Sequence, residues 1–293
     1  MAIALRPGDV GNARPLCDIG LYQDEGEIVG GMNDSARQFY DELAEAYHLI
    51  FEDWEQSILR QGRILSNIIQ KKYQKSFLLR ILDCSCGIGT QAIGLAKYGY
   101  DLTATDISQN AVARANVEAR KVGANIRFGV ADMRCLASQV EGVFDIVISC
   151  DNSLPHIITD GELLASAQNM WAKLATPGFL LISIRDYDKI INEKPVATTP
   201  RVIDNSSGRR IIFQVWDWAK QGHIYTINHF IIQEDKGCWQ TMCMKTTYRA
   251  LLRKELSSIL SKVGFVDIEW LDPEVSGFYQ PIVIANKKRP TVT

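Results

Sequence analysis

The chain has little of what holds small secreted or metal-dependent proteins together. Its seven cysteines are an odd number, spread from Cys17 to Cys243 without the close spacing of a disulfide scaffold, which fits a reducing compartment. Cys84 and Cys86 form Cys-x-Cys, not the paired Cys-x-x-Cys of a zinc site. They read as small buried residues, and no metal is expected. No stretch approaches the roughly 18 consecutive apolar residues of a membrane span, so no membrane association is expected. The opening Met-Ala-Ile-Ala-Leu-Arg-Pro-Gly has too short an apolar segment for a signal peptide. Net charge is nearly absent as well. There are 32 basic and 34 acidic residues, a balance of −2, and no basic block, hence no electrostatic footprint for nucleic acid. These absences leave a globular protein with a cytoplasmic location as the default. At 293 residues, 46% hydrophobic and 23% charged, it is long enough for one large α/β domain or one carrying an insertion.

What is present centres on Arg80 to Gln91, Arg-Ile-Leu-Asp-Cys-Ser-Cys-Gly-Ile-Gly-Thr-Gln, and the helix-like run that follows it. An apolar strand enters a tight glycine turn, and the turn opens a helix. Such a turn leaves backbone N–H groups free beside a nucleotide-like ligand, with Gly87 and Gly89 where the backbone must come close. Asp83 ends the strand, and Asp106 ends the next one, 19 positions beyond Gly87. An acid about 20 residues past the loop is where a Rossmann-type site holds ribose hydroxyls. The run Gly87-Ile-Gly89-Thr-Gln-Ala92 also fits a dinucleotide fingerprint with Ala in the last position. Asp83 argues against that reading, because a carboxylate there would face a pyrophosphate of like charge. Facing the ammonium and sulfonium of S-adenosylmethionine, the same carboxylate is attractive. That donor is therefore the expected cofactor; a turn cap is the purely structural role open to Asp83.

Taken in order, residues 1–31 show no sustained period and read as a flexible extension, with Met32 a candidate alternative start. From Asn33-Asp34-Ser35, a helix N-cap, the residues Phe39, Tyr40, Leu43, Tyr47 and Ile50 recur at helical spacing, and a second helix spans Trp54 to Ile69. Their position ahead of the glycine loop makes Tyr40, Tyr47 and Trp54 candidate lid residues as well as core. Helix and strand then alternate. Helices are expected at 91–98, 109–122 and 160–174, and strands at 100–105, 125–130, 144–149 and 179–184. This pattern predicts a doubly wound, mostly parallel sheet with ligands at the strands' carboxyl ends. Residues 195–209 read as a loop. Three strand-like runs then follow one another, at 210–218, 223–233 and 238–247, an antiparallel insertion over the cleft or at a subunit contact. Trp216 and Trp218 share one face by period two, and Arg209 and Arg210 read as solvated. A helix at 249–262 and strands at 265–270 and 281–286 complete a seven-stranded sheet. The domain limits expected are 1–31, 32–194 for the donor-binding core, 195–247 for the insertion and 248–293 for its completion.

Polar residues gather at strand ends. The fourth strand ends in Ser149-Cys150-Asp151-Asn152-Ser153-Leu154-Pro155-His156, beside the place of the transferred methyl. Asn152 can orient an acceptor amine or carboxylate. His156 can take a proton or serve as a hydrogen-bonded structural histidine, and Asp151 can attract an amine or cap the turn. After the fifth strand, Arg185 is a fork for a carboxylate, or else pairs with Asp186 or Asp188.

With these residues assembled, the chain resembles the class I S-adenosylmethionine-dependent methyltransferases, and within them the glycine and sarcosine N-methyltransferases. The likeness spans residues 33–288. It is carried by the loop with Asp106, by Phe39-Tyr40-Asp41-Glu42-Leu43-Ala44-Glu45-Ala46-Tyr47-His48, by Asp151 to His156 and by Arg185-Asp186-Tyr187-Asp188. The resemblance implies that the donor's methionine part lies against Asp83, Cys84, Gly87, Gly89 and Gln91. Its ribose would meet Asp106, and its adenine Ile107, Asp132 and Met133, with Cys150 also at the cofactor. It further implies that Arg185 holds the acceptor's carboxylate, that Asn152 positions the acceptor, and that Tyr47, with Tyr248, closes over it. The expected partner is a small amino acid or amine, S-adenosylhomocysteine the product, and a homo-oligomer a candidate state. Two other readings stay open: a hydroxyl or secondary-metabolite acceptor with His156 as base, and a module that senses S-adenosylmethionine without turnover.

Overall fold

The computed structural model describes residues 32–73, 78–206, 208–220 and 222–288. The extension expected at 1–31 and the tail from Pro290 lie outside them. The chain opens with α1 (Met32–Leu43) and α2 (Trp54–Lys72), then alternates through β1 (Arg80–Asp83), α3 (Thr90–Ala96), β2 (Asp101–Asp106), α4 (Gln109–Lys121) and β3 (Ile126–Val130). There follow α5 (Leu136–Gln139), β4 (Phe144–Ser149), α6 (Asp160–Lys173), β5 (Leu174–Ser183) and α7 (Tyr187–Glu193). Four strands joined as consecutive hairpins come next: β6 (Arg201–Asn205), β7 (Gly208–Trp218), β8 (Ile224–Asp235) and β9 (Cys238–Arg249). The fold closes with α8 (Arg253–Val263), β10 (Val266–Leu271), α9 (Pro273–Ser276) and β11 (Ile282–Lys287).

Seven strands form one sheet in the order β10-β11-β5-β4-β1-β2-β3. Its strands are parallel except β11, which runs antiparallel to both β5 and β10. This is the expected doubly wound α/β fold, a Rossmann-like sheet whose last strand is reversed. Period two divides its core. Ile81, Ile146, Ile148, Phe179, Leu181 and Ile284 point to the face covered by α2. Leu82, Val147, Leu180, Ile182 and Val283 point to the other, under α6 and α8. Central parallel strands are buried on both faces, which is why they read as unbroken apolar runs.

On the first face α2 presses on α3 with almost no side chain between. A Cβ added to Gly94 would strike the Ile58 carbonyl oxygen and stand 2.9 Å from the Gly62 Cα. Only a glycine pair allows that approach, and it seats Trp54 and Gln61 of α2 directly against the start of α3. Trp54 Nε1 donates to Thr90 Oγ1 at 2.9 Å and Gln91 Nε2 to Gln61 Oε1 at 2.8 Å.

The second sheet, β6-β7-β8-β9, is antiparallel throughout. It carries one strand more than expected, since β6 lies inside the span read as a loop. Ile203 is its one buried residue, so a strand pairing at a sheet edge left almost no hydrophobic pattern in a Pro-, Thr- and Asn-rich stretch. The first helix also ends sooner than its spacing suggested. It stops at Leu43, and residues Tyr47–Ile50 form a separate 3-10 turn.

Arg210 corrects a second expectation. It is not solvated but 1% exposed. Its guanidinium donates to the carbonyls of Leu49 at 2.9 Å and Phe51 at 2.8 Å, and to Asn205 Oδ1 at 3.0 Å. Carbonyls at the end of a helical turn lack internal partners, and Arg210 supplies donors to them from β7. Together with the cluster of Phe39, Leu43, Leu49, Ile231 and Met244, it fastens the N-terminal segment to the second sheet.

Candidate active site

The carboxyl ends of β1, β2, β3 and β4 open on a cavity of roughly 740 Å³, its mouth included. Gly87 takes a φ of 52°, and a Cβ there would come 3.3 Å from the Tyr47 ring, so the loop's bare backbone faces an aromatic roof. Asp106 braces that loop. Its Oδ2 accepts from the Gly87 N–H at 2.8 Å and its Oδ1 from the Ser108 N–H at 3.0 Å. Burial raises its carboxyl pKa, and those N–H groups oppose the rise. Asp83, 1% exposed, has Oδ1 on the Ser85 N–H at 3.3 Å, while its Oδ2 is buried without a partner. Burial pushes its carboxyl up to about 7, and the nearby Asp106 adds to the rise. An orphaned carboxylate oxygen behind a glycine loop suits a cationic ligand, because an unpartnered buried acceptor is costly.

Around the rim, Ile107, Asp132 and Met133 line the far end of the cavity. The Asp132 carboxylate is engaged by Arg134, at 2.5 to 3.1 Å. Cys84 lines the near wall, its thiol donating to the Ile148 carbonyl at 3.3 Å. Gln91 also lines the wall, with its amide turned to Gln61. Tyr40 and Tyr47 reach in from the N-terminal segment. Tyr40 OH bonds His156 Nε2 at 3.0 Å, and His156 Nδ1 lies 3.4 Å from Thr246 Oγ1 and its ring 4.1 Å from that of Tyr248. Burial holds His156 near 3, well below an ordinary histidine, so it is neutral at pH 7 and a weak base.

The turn after β4 takes two consecutive left-handed residues, Asp151 (φ 61°) and Asn152 (φ 66°), a conformation that Asp and Asn tolerate better than other residues with a Cβ. Asn152, 2% exposed, accepts the Arg185 N–H on Oδ1 at 3.0 Å, while its Nδ2 is buried without a partner. Asp151 receives the hydroxyls of Tyr47, at 3.5 Å, and of Tyr279.

Arg185 leaves the tip of β5 into an aromatic nest. It donates to Tyr225 OH at 3.2 Å and Gln214 Oε1 at 3.4 Å, and its guanidinium lies 5.0 Å from the Trp216 ring centre and 5.4 Å from that of Tyr248. Neither Asp186 nor Asp188 pairs with it. Both are drawn to Arg253, at 3.7 and 3.6 Å. Among the described residues no carboxylate lies within 4.0 Å of Arg185.

The structure thus gathers Cys84, Gly87, Gln91, Asp106, Ile107, Asp132, Met133, Tyr47 and His156 around one cavity. Asp83 and Gly89 stand just behind its wall, Asn152 braces the β4 turn, and Arg185 stands beyond His156 and Tyr248. Cys150 packs into the core with Ile146 and Ile148. Sequence reasoning missed Tyr225, Gln214 and Tyr279. Period-two alternation along β7 and β8 from Trp216 could have found the first two; Tyr279 carried no signal.

The residues match a methyltransferase-domain family profile over 81–178. A glycine/sarcosine N-methyltransferase of Parasynechococcus marenigrum is 26% identical over 176 residues, covering 58% of this chain and 61% of that protein. The chain thus spans less than two thirds of that relative's length. Among solved structures, an S-adenosylmethionine-dependent methyltransferase from Clostridium acetobutylicum superposes with a TM-score of 0.67 at 15% identity, over 85% of this chain and 99% of that one. An S-adenosylmethionine-bound amino pentose methyltransferase from Micromonospora echinaspora gives 0.64 at 14% identity, over 90% and 100%. At these identities the structural likeness speaks to the fold.

Proposed function

We propose that this chain, whose residues 81–178 match a methyltransferase-domain profile, is an S-adenosylmethionine-dependent enzyme that methylates the nitrogen of a small amino acid or amine resembling glycine or sarcosine. S-adenosylmethionine, when bound, supplies a methyl group activated by its sulfonium. The residues present fit that donor: Gly87 leaves backbone open, Asp106 can bind ribose hydroxyls, and the orphaned Asp83 oxygen suits a cation. What remains for the protein is to hold an acceptor nitrogen in line and to exclude water, a positioning effect worth several kcal/mol.

The observation that carries the acceptor reading is Arg185. A largely desolvated cation without a paired anion is unfavourable by several kcal/mol, and its ring neighbours repay only part of that. An acceptor carboxylate completes the nest with a fork-shaped pair. Asn152 holds the Arg185 backbone in place, and Tyr40 and Tyr47 close over the nitrogen. A hydroxyl acceptor needs a base within reach, and His156, held near 3 by burial, supplies little basicity.

Labelled S-adenosylmethionine, incubated with the purified chain and pooled amino acids and amines, tests this by product mass. N-methylated amino acids are expected. An O-methylated product, or tight donor binding with no product, overturns the acceptor reading.

A further inference from the structure

A second cleft adjoins the first and is used by nothing described so far. It is open to solvent, about 1150 Å³ in extent, and lined by Glu52, Gln56, Arg60, Arg201, Tyr279 and, at its inner end, Asp151. Asp151 also lines the donor cavity, so its side chain is the partition between the two spaces. The two oxygens divide accordingly. Oδ2 faces Tyr47, which lines the donor cavity, and Oδ1 takes the hydroxyl of Tyr279, which lines the outer cleft. Tyr279 is 48% exposed and follows Gly277, at a φ of 74°.

Charge is distributed unevenly along this route. Arg60 and Arg201 donate to Ser57 Oγ and to the Ile50 carbonyl, and neither forms an ion pair with a carboxylate among the described residues. The inner end presents the Asp151 carboxylate. Arg185 acts on that carboxylate electrostatically yet lies beyond the 4.0 Å of an ion pair. Asp151 and Arg185 are an opposed anion and cation that act on each other without closing into an ion pair, an arrangement that suits a zwitterion, ammonium toward one and carboxylate toward the other. The non-glycine residue at positive φ adds to the case, since backbone strain of this kind collects where a side chain must be aimed.

We propose that Asp151 is the docking point for the acceptor's ammonium, and that the acceptor reaches it through the cleft between α2, β6 and Tyr279. The cleft's arginines draw the carboxylate end inward, Tyr279 yields its hydroxyl bond as the ammonium arrives, and the nitrogen then lies at the border of the donor cavity. The inference rests on the amine-acceptor reading and names a site that reading did not use.

The test uses the full chain and two variants chosen to keep the fold. Asp151→Asn retains a side chain that accepts positive φ, and Gln56→Trp fills an exposed position in the cleft. With an amine acceptor found from the pool, Asp151→Asn is expected to raise the acceptor KM by roughly tenfold or more, the loss of one charge-assisted hydrogen bond. Donor affinity, read by calorimetry with S-adenosylhomocysteine, stays within about twofold of wild type. Gln56→Trp is expected to raise the same KM. An unchanged acceptor KM in either variant, or an equal loss of donor affinity, overturns the proposal. If wild type methylates no amine, the activity reading fails separately. Ethylamine titrated into the protein saturated with S-adenosylhomocysteine then decides the docking site: heat lost in Asp151→Asn supports it, and no binding to wild type ends it.

Discussion

Replacing Arg185 by Met separates a ligand-binding cation from a structural one, because the two roles predict opposite signs. Met keeps an unbranched stem against Trp216 and Tyr248 and removes the charge. If Arg185 holds an acceptor carboxylate, its loss leaves that anion unpaired in an aromatic nest, at about 3–5 kcal/mol. That corresponds to a fall of roughly two to four powers of ten in kcat/KM for a carboxylate-bearing acceptor. The folded protein without substrate behaves differently. It forfeits the bonds to Tyr225 and Gln214, which at 3.2 and 3.4 Å are long and contribute about 1 kcal/mol each, below the usual value for a charged donor. It is also relieved of a desolvated cation with no anion, a gain of several kcal/mol. Tyr225 keeps its 2.9 Å bond to Tyr187, so little is left unsatisfied. The melting temperature should therefore hold or rise by a few degrees, on the scale of about 2–4 °C per kcal/mol for a domain near this size. Methyl transfer from labelled donor, measured beside calorimetric melting and donor titration, reads all three quantities. A melting temperature lowered by many degrees with acceptor kinetics intact would falsify the assignment, since Arg185 would then be serving the fold.

Asp106→Ala removes the acceptor for two loop N–H groups and the expected ribose contact. Donor affinity by calorimetry should drop roughly ten- to hundredfold, the value of one charged hydrogen bond of about 1.5–3 kcal/mol, and an unchanged affinity would contradict the site. Asp83 sets a pH dependence. Its folded pKa is raised from 3.8 to about 7, so between those values the native state holds a proton that the unfolded state has lost. Its contribution to stability is accordingly present below about 4 and declines as pH climbs to about 7. Asp83→Asn should flatten that part of the profile of the ligand-free protein, and an unaltered slope would sink the argument. Binding of a cationic donor runs the other way, tightening as Asp83 ionises. Gly94→Ala tests the helix crossing: overpacking of about 1–3 kcal/mol should outweigh the helix-propensity gain of about 1 kcal/mol. Urea unfolding reads the sign, and a stabilised variant refutes it.

The sheet was legible in the sequence because parallel strands buried on both faces must be apolar throughout, and their polar ends must be where a ligand sits. Phe144–Ser149 came out at its observed bounds for that reason. The second sheet was harder to read. Its strands alternate cleanly only where one face is covered, as Tyr225, Ile227, His229 and Ile231 do along β8. β6 buries Ile203 alone and so looked like a loop. Residues at or just past strand ends, such as Asp106 and Asp132, could be placed at the cavity's edge because position in the chain determines where a strand tip lies. What could not be read was which charges would be neutralised. Arg210 and Arg185 are the same residue type, one on β7 and the other just past β5. Only the folded arrangement shows that three backbone and amide oxygens satisfy one, while Arg253 removes the acids that could have satisfied the other.

That last contrast bears on how the donor and the proposed acceptor would be told apart. On the donor side the chain buries two acids, Asp83 and Asp106, and balances them with main-chain N–H groups but no lysine or arginine among the pairs described. On the proposed acceptor side it half-buries one arginine and balances it with hydroxyl, amide and ring faces but no acid. Each half is therefore short of one kind of charge. A sulfonium donor lowers the electrostatic energy of the first half and a carboxylate that of the second, whereas exchanging the two would bring like charges together in a site of low dielectric. Asp151 stands at the boundary, half-buried and reachable from either cavity. A ligand that carries an amine next to a carboxylate can satisfy it and Arg185 together, which a neutral sugar hydroxyl cannot do. Under the proposed amine-acceptor reading, selectivity for a small zwitterion would follow from where charge is left uncompensated, before any shape complementarity is considered.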